Sequence, residues 1–213
     1  PDVAGLRFQA RYEPASSVAG DVYDFLRVDA THTGVLVADV AGHGVPAALV
    51  AAMVKIAVTS QSRLADDPAA MLQQLDATLR REVRRAFVTA TYLFFDLDAR
   101  TVTVSNAGHP PPLLLRNGAF SELGAAGVVL GRFASARYNA MTAELRAGDR
   151  IVAYTDGLTE ARNTRGEQFG EERLQELARR ATAEEIVDAV RRWRVDDEDA
   201  DDLTIVIIDA PLS

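Results

Sequence analysis

The sequence predicts an α+β fold in which helices are layered on mostly antiparallel sheets. Three observations lead there. Alternating or β-branched segments occupy the N-terminal third, the middle and the C-terminal end, whereas helical apolar spacing falls in two blocks between them. Short turn signals separate strand segments that are adjacent in sequence, which favours antiparallel pairing. No strand-to-helix phosphate loop is present, neither GxGxxG nor GxxxxGK followed by Ser or Thr.

The elements follow in order. "LRFQARYEP" alternates from Leu6, and "DVYDFLRVD" and "GVLVADV" are rich in β-branched and aromatic residues. "VPAALVAAMVKIAVTSQSR" has helical apolar spacing, and a second helix follows "ADDP", with Asp67 placed to cap and Pro68 at the first helical position. "FVTATYLFFDLD" and "TVTVSNAG" flank a turn at Asp98 to Arg100, and Asn117-Gly118 marks a hairpin within "PPLLLRNGAFSEL". "YNAMTAELRAGDRIVAYTDG" supplies two strands around a turn at Gly148-Asp149. Two helices cover roughly Glu171 to Arg194, and the acidic run "DDEDADD" precedes a last strand, "LTIVIID".

Bulk composition narrows the function. The 213 residues suit one domain, 1–213, with a sizeable core. A net charge of -8 argues against a nucleic-acid partner, which would require a basic footprint. With no cysteine there is no thiol nucleophile, disulfide or zinc-thiolate site, and a cytoplasmic setting is compatible. No apolar run approaches the roughly 18 residues of a membrane span, so no membrane segment is expected within the chain. The first residue is Pro1, and the chain reads as a fragment of a longer multidomain protein.

Four acids share one pattern. Asp21 in "VAGDVYDF", Asp39 in "VLVADV", Asp156 in "RIVAYTDG" and Asp201 in "DADDLTIVII" each stand where an apolar strand meets a loop. Magnesium and manganese prefer such oxygen ligands. Two such ions about 3.5–4 Å apart clamp a phosphoryl group and activate a water. Asp-Gly and Gly-Asp are also ordinary turn dipeptides, and spacing cannot show that distant acids converge. From the residues themselves a di-metal hydrolase and a set of turns both stay open.

The strings "VAGDVYDF", "ADVAGHGVPAAL", "FVTATYLFFDL", "SNAGHPPPLLL", "LRAGDRIVAYTDGLTEARNTRGEQFGEERL" and "DDLTIVI" occur in this order. Together they resemble the bacterial branch of the metal-dependent protein phosphatases. This is the protein phosphatase 2C superfamily, in the sporulation-phosphatase-E-like group that regulates sigma factors. The resemblance implies two packed antiparallel sheets flanked by helices, a four-layer αββα arrangement, with two or more Mn2+ or Mg2+ ions at one end. It implies that Asp21 and Asp39 act in catalysis and that Asp21, Asp39, the Val40 carbonyl, Asp156 and Asp201 hold metal. Asp202 rivals Asp201 for the last role. The implied activity is hydrolysis of phosphoserine or phosphothreonine on an anti-sigma-factor antagonist by a metal-activated water. An upstream sensor domain and a homodimer are the further implied partners, acting on the helix pair between roughly Gly44 and Arg85. The alternative is a catalytically silent signalling module of the same fold.

The sequence departs from the eukaryotic branch at two positions. The histidine expected two residues after the bridging aspartate is Ala41, with His43 two further on, so His43 is not assigned as general acid. The phosphate-binding arginine five residues before the first aspartate is Ser16. The usual bacterial "GGD" is "AGD". His109 lacks a metal-site partner and reads as structural. Thr89 and Thr91 read as strand formers, and Trp193 as a helix packing residue. Asp24 reads equally as a hydrogen-bond partner of a metal-holding residue or as a strand-face or turn residue.

Overall fold

The computed structural model describes residues 3, 5–15, 18–83, 86–124, 126–195 and 201–210. Among them ten strands divide equally between two antiparallel sheets. One sheet runs β2 (Val22–Arg27), β3 (His32–Val40), β4 (Val88–Asp96), β5 (Thr101–Ala107) and β8 (Ala140–Glu144). The other runs β1 (Arg7–Glu13), β10 (Leu203–Asp209), β9 (Arg150–Tyr154), β6 (Leu113–Arg116) and β7 (Ala119–Glu122). The predicted two-sheet α+β architecture is therefore present.

Three apolar layers hold it together. Val35, Val37, Leu93 and Phe95 of the first sheet meet Ile151, Ala153, Val206 and Ile208 of the second between the sheets. On the outer face of the first sheet, Leu36, Ala38 and Tyr92 pack against α1 (Gly44–Ser60) and α2 (Pro68–Glu82) through Val54, Met71, Leu72 and Leu75. On the outer face of the second, Val152, Ile205 and Ile207 pack against α4 (Gly170–Ala178) and α5 (Ala183–Trp193) through Leu174, Ile186, Val187 and Val190. Strands apolar on both faces read as continuous hydrophobic runs, which is what "GVLVADV" and "LTIVII" are.

Local chemistry sets the ends of the helices. Asp67 accepts from the Ala70 backbone N–H at 2.9 Å with Pro68 behind it, as predicted. α5 starts on a reciprocal capping box, Thr182 with Glu185, which the "TAEE" string carries. Trp193 packs edge-on against Phe169 at 5.9 Å, a packing role as expected. Asp24 lies on the α1 side of β2, 3.5 Å from Lys55, and so takes the strand-face role.

The turn at Gly148-Asp149 is present but does not close a hairpin. It carries the chain from β8 in one sheet to β9 in the other. Asp149 holds it, accepting from the Arg146 N–H at 2.7 Å and from Arg116 at 2.8 and 2.6 Å. Among the described residues, a long stretch without helix or strand covers 123–124 and 126–139. Leu130 stitches it to Val88 by paired backbone bonds, and the buried Asp76 of α2 grips Gly131 N at 2.8 Å while pairing with Arg80 at 2.8 Å. Replacing Asp76 by Ala leaves that N–H and the guanidinium without their acceptor. A loss on the order of 2–3 kcal/mol in urea unfolding is expected; a loss within experimental error would show that this anchor is dispensable.

Candidate metal centre

The layer between the sheets changes character along its length. Residues at every second position share a face. On β3 that face reads Val35, Val37, Asp39; on β4 it reads Phe95, Leu93, Thr91, Thr89. In the second sheet it reads Ile208, Val206, Thr204 on β10, and Ile151, Ala153 and then Thr155 past the end of β9. One end of an otherwise apolar core thus becomes a ring of hydroxyls and carboxylates.

Each acid is placed by a different element. Asp39 ends β3 opposite Thr89. Asp21 stands just before Val22, which pairs with Ala38, and so lies beside the Asp39 end. Its Oδ2 accepts from the hydroxyls of Thr155 (2.8 Å) and Thr204 (2.5 Å), joining it to the second sheet. Asp156 stands at the N-terminus of the short helix α3 (Gly157–Glu160), and its side chain makes no capping hydrogen bond. Asp201 and Asp202 enter β10, and the backbone there lies against Gly157: a Cβ at position 157 would sit 2.1 Å from the Asp202 carbonyl and 3.3 Å from Asp201 Cβ. Gly20 plays the same part across the site, where a Cβ would sit 2.9 Å from the Val40 carbonyl and 3.5 Å from Asp39 Oδ1. Both glycines are needed for close approach.

The charges bear out the convergence. Burial raises the Asp39 carboxyl to about 7, reinforced by repulsion from Asp156, Asp201 and Asp202, while contact with the Asp21 carboxyl acts the other way. Burial lifts Asp21 to about 8 against the two threonine hydroxyls, with Asp39 and Asp202 adding repulsion. Asp156 is raised by burial and by Glu160, and Asp201 by burial and by Asp156. Among the described residues no salt bridge joins Asp21, Asp39, Asp156 or Asp201 to a Lys, Arg or His. Crowded oxygen donors lacking a counter-charge suit a hard divalent cation.

The sequence-predicted acids therefore lie near one another, and Asp201 and Asp202 differ in the donors they meet. Both oxygens of Asp202 are occupied by backbone donors: Ala15 N at 2.8 Å on Oδ1, Gly20 N at 2.8 Å and Asp21 N at 3.3 Å on Oδ2. Asp201 accepts from its neighbour's N–H at 2.8 Å through Oδ1. Asp202 thus holds the Asp21 loop, leaving Asp201 to face the other acids. His43 is exposed at the start of α1 and makes no side-chain cap. Ser16 lies outside the described residues.

Five further residues complete the polar end. Thr155 and Thr204 orient Asp21; their signal was their position beside Asp156 and two residues after Asp202. Thr89 meets His109 Nδ1 at 2.8 Å, so it is more than a strand former. Asn106 clamps the His109 backbone through both N–H and C=O, which explains the "NAGH" string. A second group, His32 with Asp96 and Asp98, has ligand atoms within 4.8 Å of one another. It lies at the opposite end of β3 from Asp39, about 23 Å away at strand rise. His32 there bonds Asp29, and this group is no part of the centre.

Comparison with known proteins agrees with this architecture. The chain is 32% identical over 169 residues to the phosphoserine phosphatase RsbU of Bacillus subtilis, covering 78% of this chain and 50% of the relative. It therefore spans about half the length of that protein. The SiaA-PP2C domain of Pseudomonas aeruginosa superposes with a TM-score of 0.83 at 25% identity, covering 94% of this chain and 84% of that one. The catalytic domain of the serine/threonine protein phosphatase PstP, solved with two manganese ions, superposes with a TM-score of 0.69 at 19% identity, covering 97% and 98%. The sequence profile of Stage II sporulation protein E (SpoIIE) matches residues 29–211, and the chain belongs to that family.

Proposed function

We propose that this chain is a Mn2+- or Mg2+-dependent protein phosphatase that hydrolyses phosphoserine or phosphothreonine. The observation that carries the reading is the meeting of Asp21, Asp39, Asp156 and Asp201 at one end of the sandwich with no basic partner among the described residues. The likeness to RsbU, a phosphoserine phosphatase, supports the same class of chemistry.

In this reading Asp21, Asp39, the Val40 carbonyl, Asp156 and Asp201 would together hold the divalent ions. Bound divalent ions supply a nucleophilic water at neutral pH and neutralise charge on the phosphoryl oxygens. The protein holds the donors in place. Thr155 and Thr204 fix which Asp21 oxygen is free, since both bond Oδ2. Asp202 fixes the loop that carries Asp21. Retention of the whole carboxylate set weighs against a catalytically silent module.

The substrate we infer is a phosphorylated anti-sigma-factor antagonist, the partner class implied by the sigma-factor-regulating group that the motifs resemble, and a cytoplasmic setting goes with it. Regulation by an upstream sensor domain or by a second copy is supported by α1. Val45, Leu49 and Ile56 leave 60%, 62% and 66% of their surface exposed on one stripe of the helix that directly follows Asp39 and Val40. Among the described residues no helix is long and apolar enough to cross a membrane.

Hydrolysis of an aryl phosphate should require Mn2+ and stop with chelator, and Asp156→Asn should lower it by about two orders of magnitude or more; activity indifferent to both would dismiss the reading. Incubation with candidate phosphoproteins, followed by mass measurement of phosphate loss, tests the substrate. Asp201 and Asp202 should separate in a paired experiment. Asp201→Asn weakens Mn2+ binding and leaves the metal-free melting temperature unchanged or raised. Asp202→Ala lowers metal-free stability by about 2–3 kcal/mol, because buried N–H groups lose their acceptor. Reversed behaviour would exchange their roles.

A further inference from the structure

One buried titratable side chain at the polar end of the inter-sheet layer has no part in the chemistry above. His109 is 5% exposed, and burial drives its basicity down to about 3, so the ring is neutral. Its loop does not need the ring to keep its shape. Asn106 already bonds the His109 N–H at 3.0 Å and its C=O at 2.9 Å, and Gly108 takes the left-handed turn at φ +69°. A leucine or phenylalanine would fill the space without the cost of burying two ring nitrogens.

The two nitrogens are differently engaged. Nδ1 lies 2.8 Å from the Thr89 hydroxyl, and Thr89 stands directly across from Asp39 on the first sheet. The ring's other polar neighbour is the backbone carbonyl of Tyr154 on the second sheet, two residues before Asp156. Nε2 is buried and makes no hydrogen bond among the described residues, so the Tyr154 carbonyl stands near the ring without bonding it. A carbonyl can only accept, so the proton of the neutral ring belongs on Nε2, and Nδ1 accepts from Thr89.

We propose that His109 is a positioning residue, a strut bonded to Thr89 on one sheet and set against the Tyr154 carbonyl on the other, which sets the separation of Asp39 and Asp156. This rests on the reading that those carboxylates hold divalent ions. A metal pair gripped from two separate sheets is sensitive to the distance between them, and the strut sits where that distance is set. In this reading neither His109 nor its two neighbours Thr89 and Tyr154 hold metal. The effect passes through the backbone of the residues that do.

The test is Mn2+ affinity, read from the electron paramagnetic resonance signal of free Mn2+ in titrations of the whole chain, alongside urea unfolding of the metal-free protein. His109→Leu and Thr89→Val should each weaken Mn2+ binding about tenfold, the effect typical of losing an outer-shell partner. His109→Gln, which keeps a donor and an acceptor, should fall between those variants and the parent. If the leucine variant does not fold, Thr89→Val decides. Variants that lose stability yet bind Mn2+ as the parent does would overturn the strut and leave the metal centre standing. A parent chain that binds no Mn2+ would overturn both.

Discussion

Like charges confined in a partly dry space repel, and the arrangement of this domain depends on tolerating that repulsion at one end. Two like charges about 4 Å apart near a protein surface repel by about 4 kcal/mol. A hydrogen bond to a charged group returns about 1.5–3 kcal/mol. The two threonine hydroxyls on Asp21 are therefore of the right size to soften its burial but not to cancel it, and its carboxyl stays raised. The strands carry the remainder. Asp39 and Asp21 hang from one sheet, Asp156 and Asp201 from the other, and three apolar layers prevent either sheet from moving away.

Neighbouring acids can do unrelated work for this reason. Asp202 accepts from the backbone N–H groups of Ala15, Gly20 and Asp21 and holds the loop between the sheets. One residue earlier, Asp201 faces carboxylates instead. Both residues precede β10, and the difference lies in the donors and charges that each one meets. Gly20 and Gly157 let the two halves approach, each occupying a place where any side chain would strike a carbonyl oxygen.

Much of this was legible in the residues. The strands, the helix pairs, the Asp67 cap and the turn signals are local properties, and local patterns report them. Sheet membership is not local: nothing near Gly148-Asp149 says that its two flanking strands part company, because pairing depends on what else each strand can bury. The acids were found as strand-end residues, and resemblance, not spacing, indicated that they meet. The Asp201 and Asp202 register stayed open because both are acidic and contiguous, and only three-dimensional donors distinguish them. Thr89 with His109, twenty residues apart, was missed for a similar reason: a threonine in a β-rich string is already explained by propensity.

The grip of Asp202 on Gly20 joins residues 182 positions apart. Contacts of that span close late, after the more local hairpins have formed. During synthesis the first sheet and its helices can emerge from the ribosome and pack while the acid that orders the Asp21 loop has not yet been translated. Under the proposed reading the acid cluster therefore stays incomplete until β10 and the acids before it have been made.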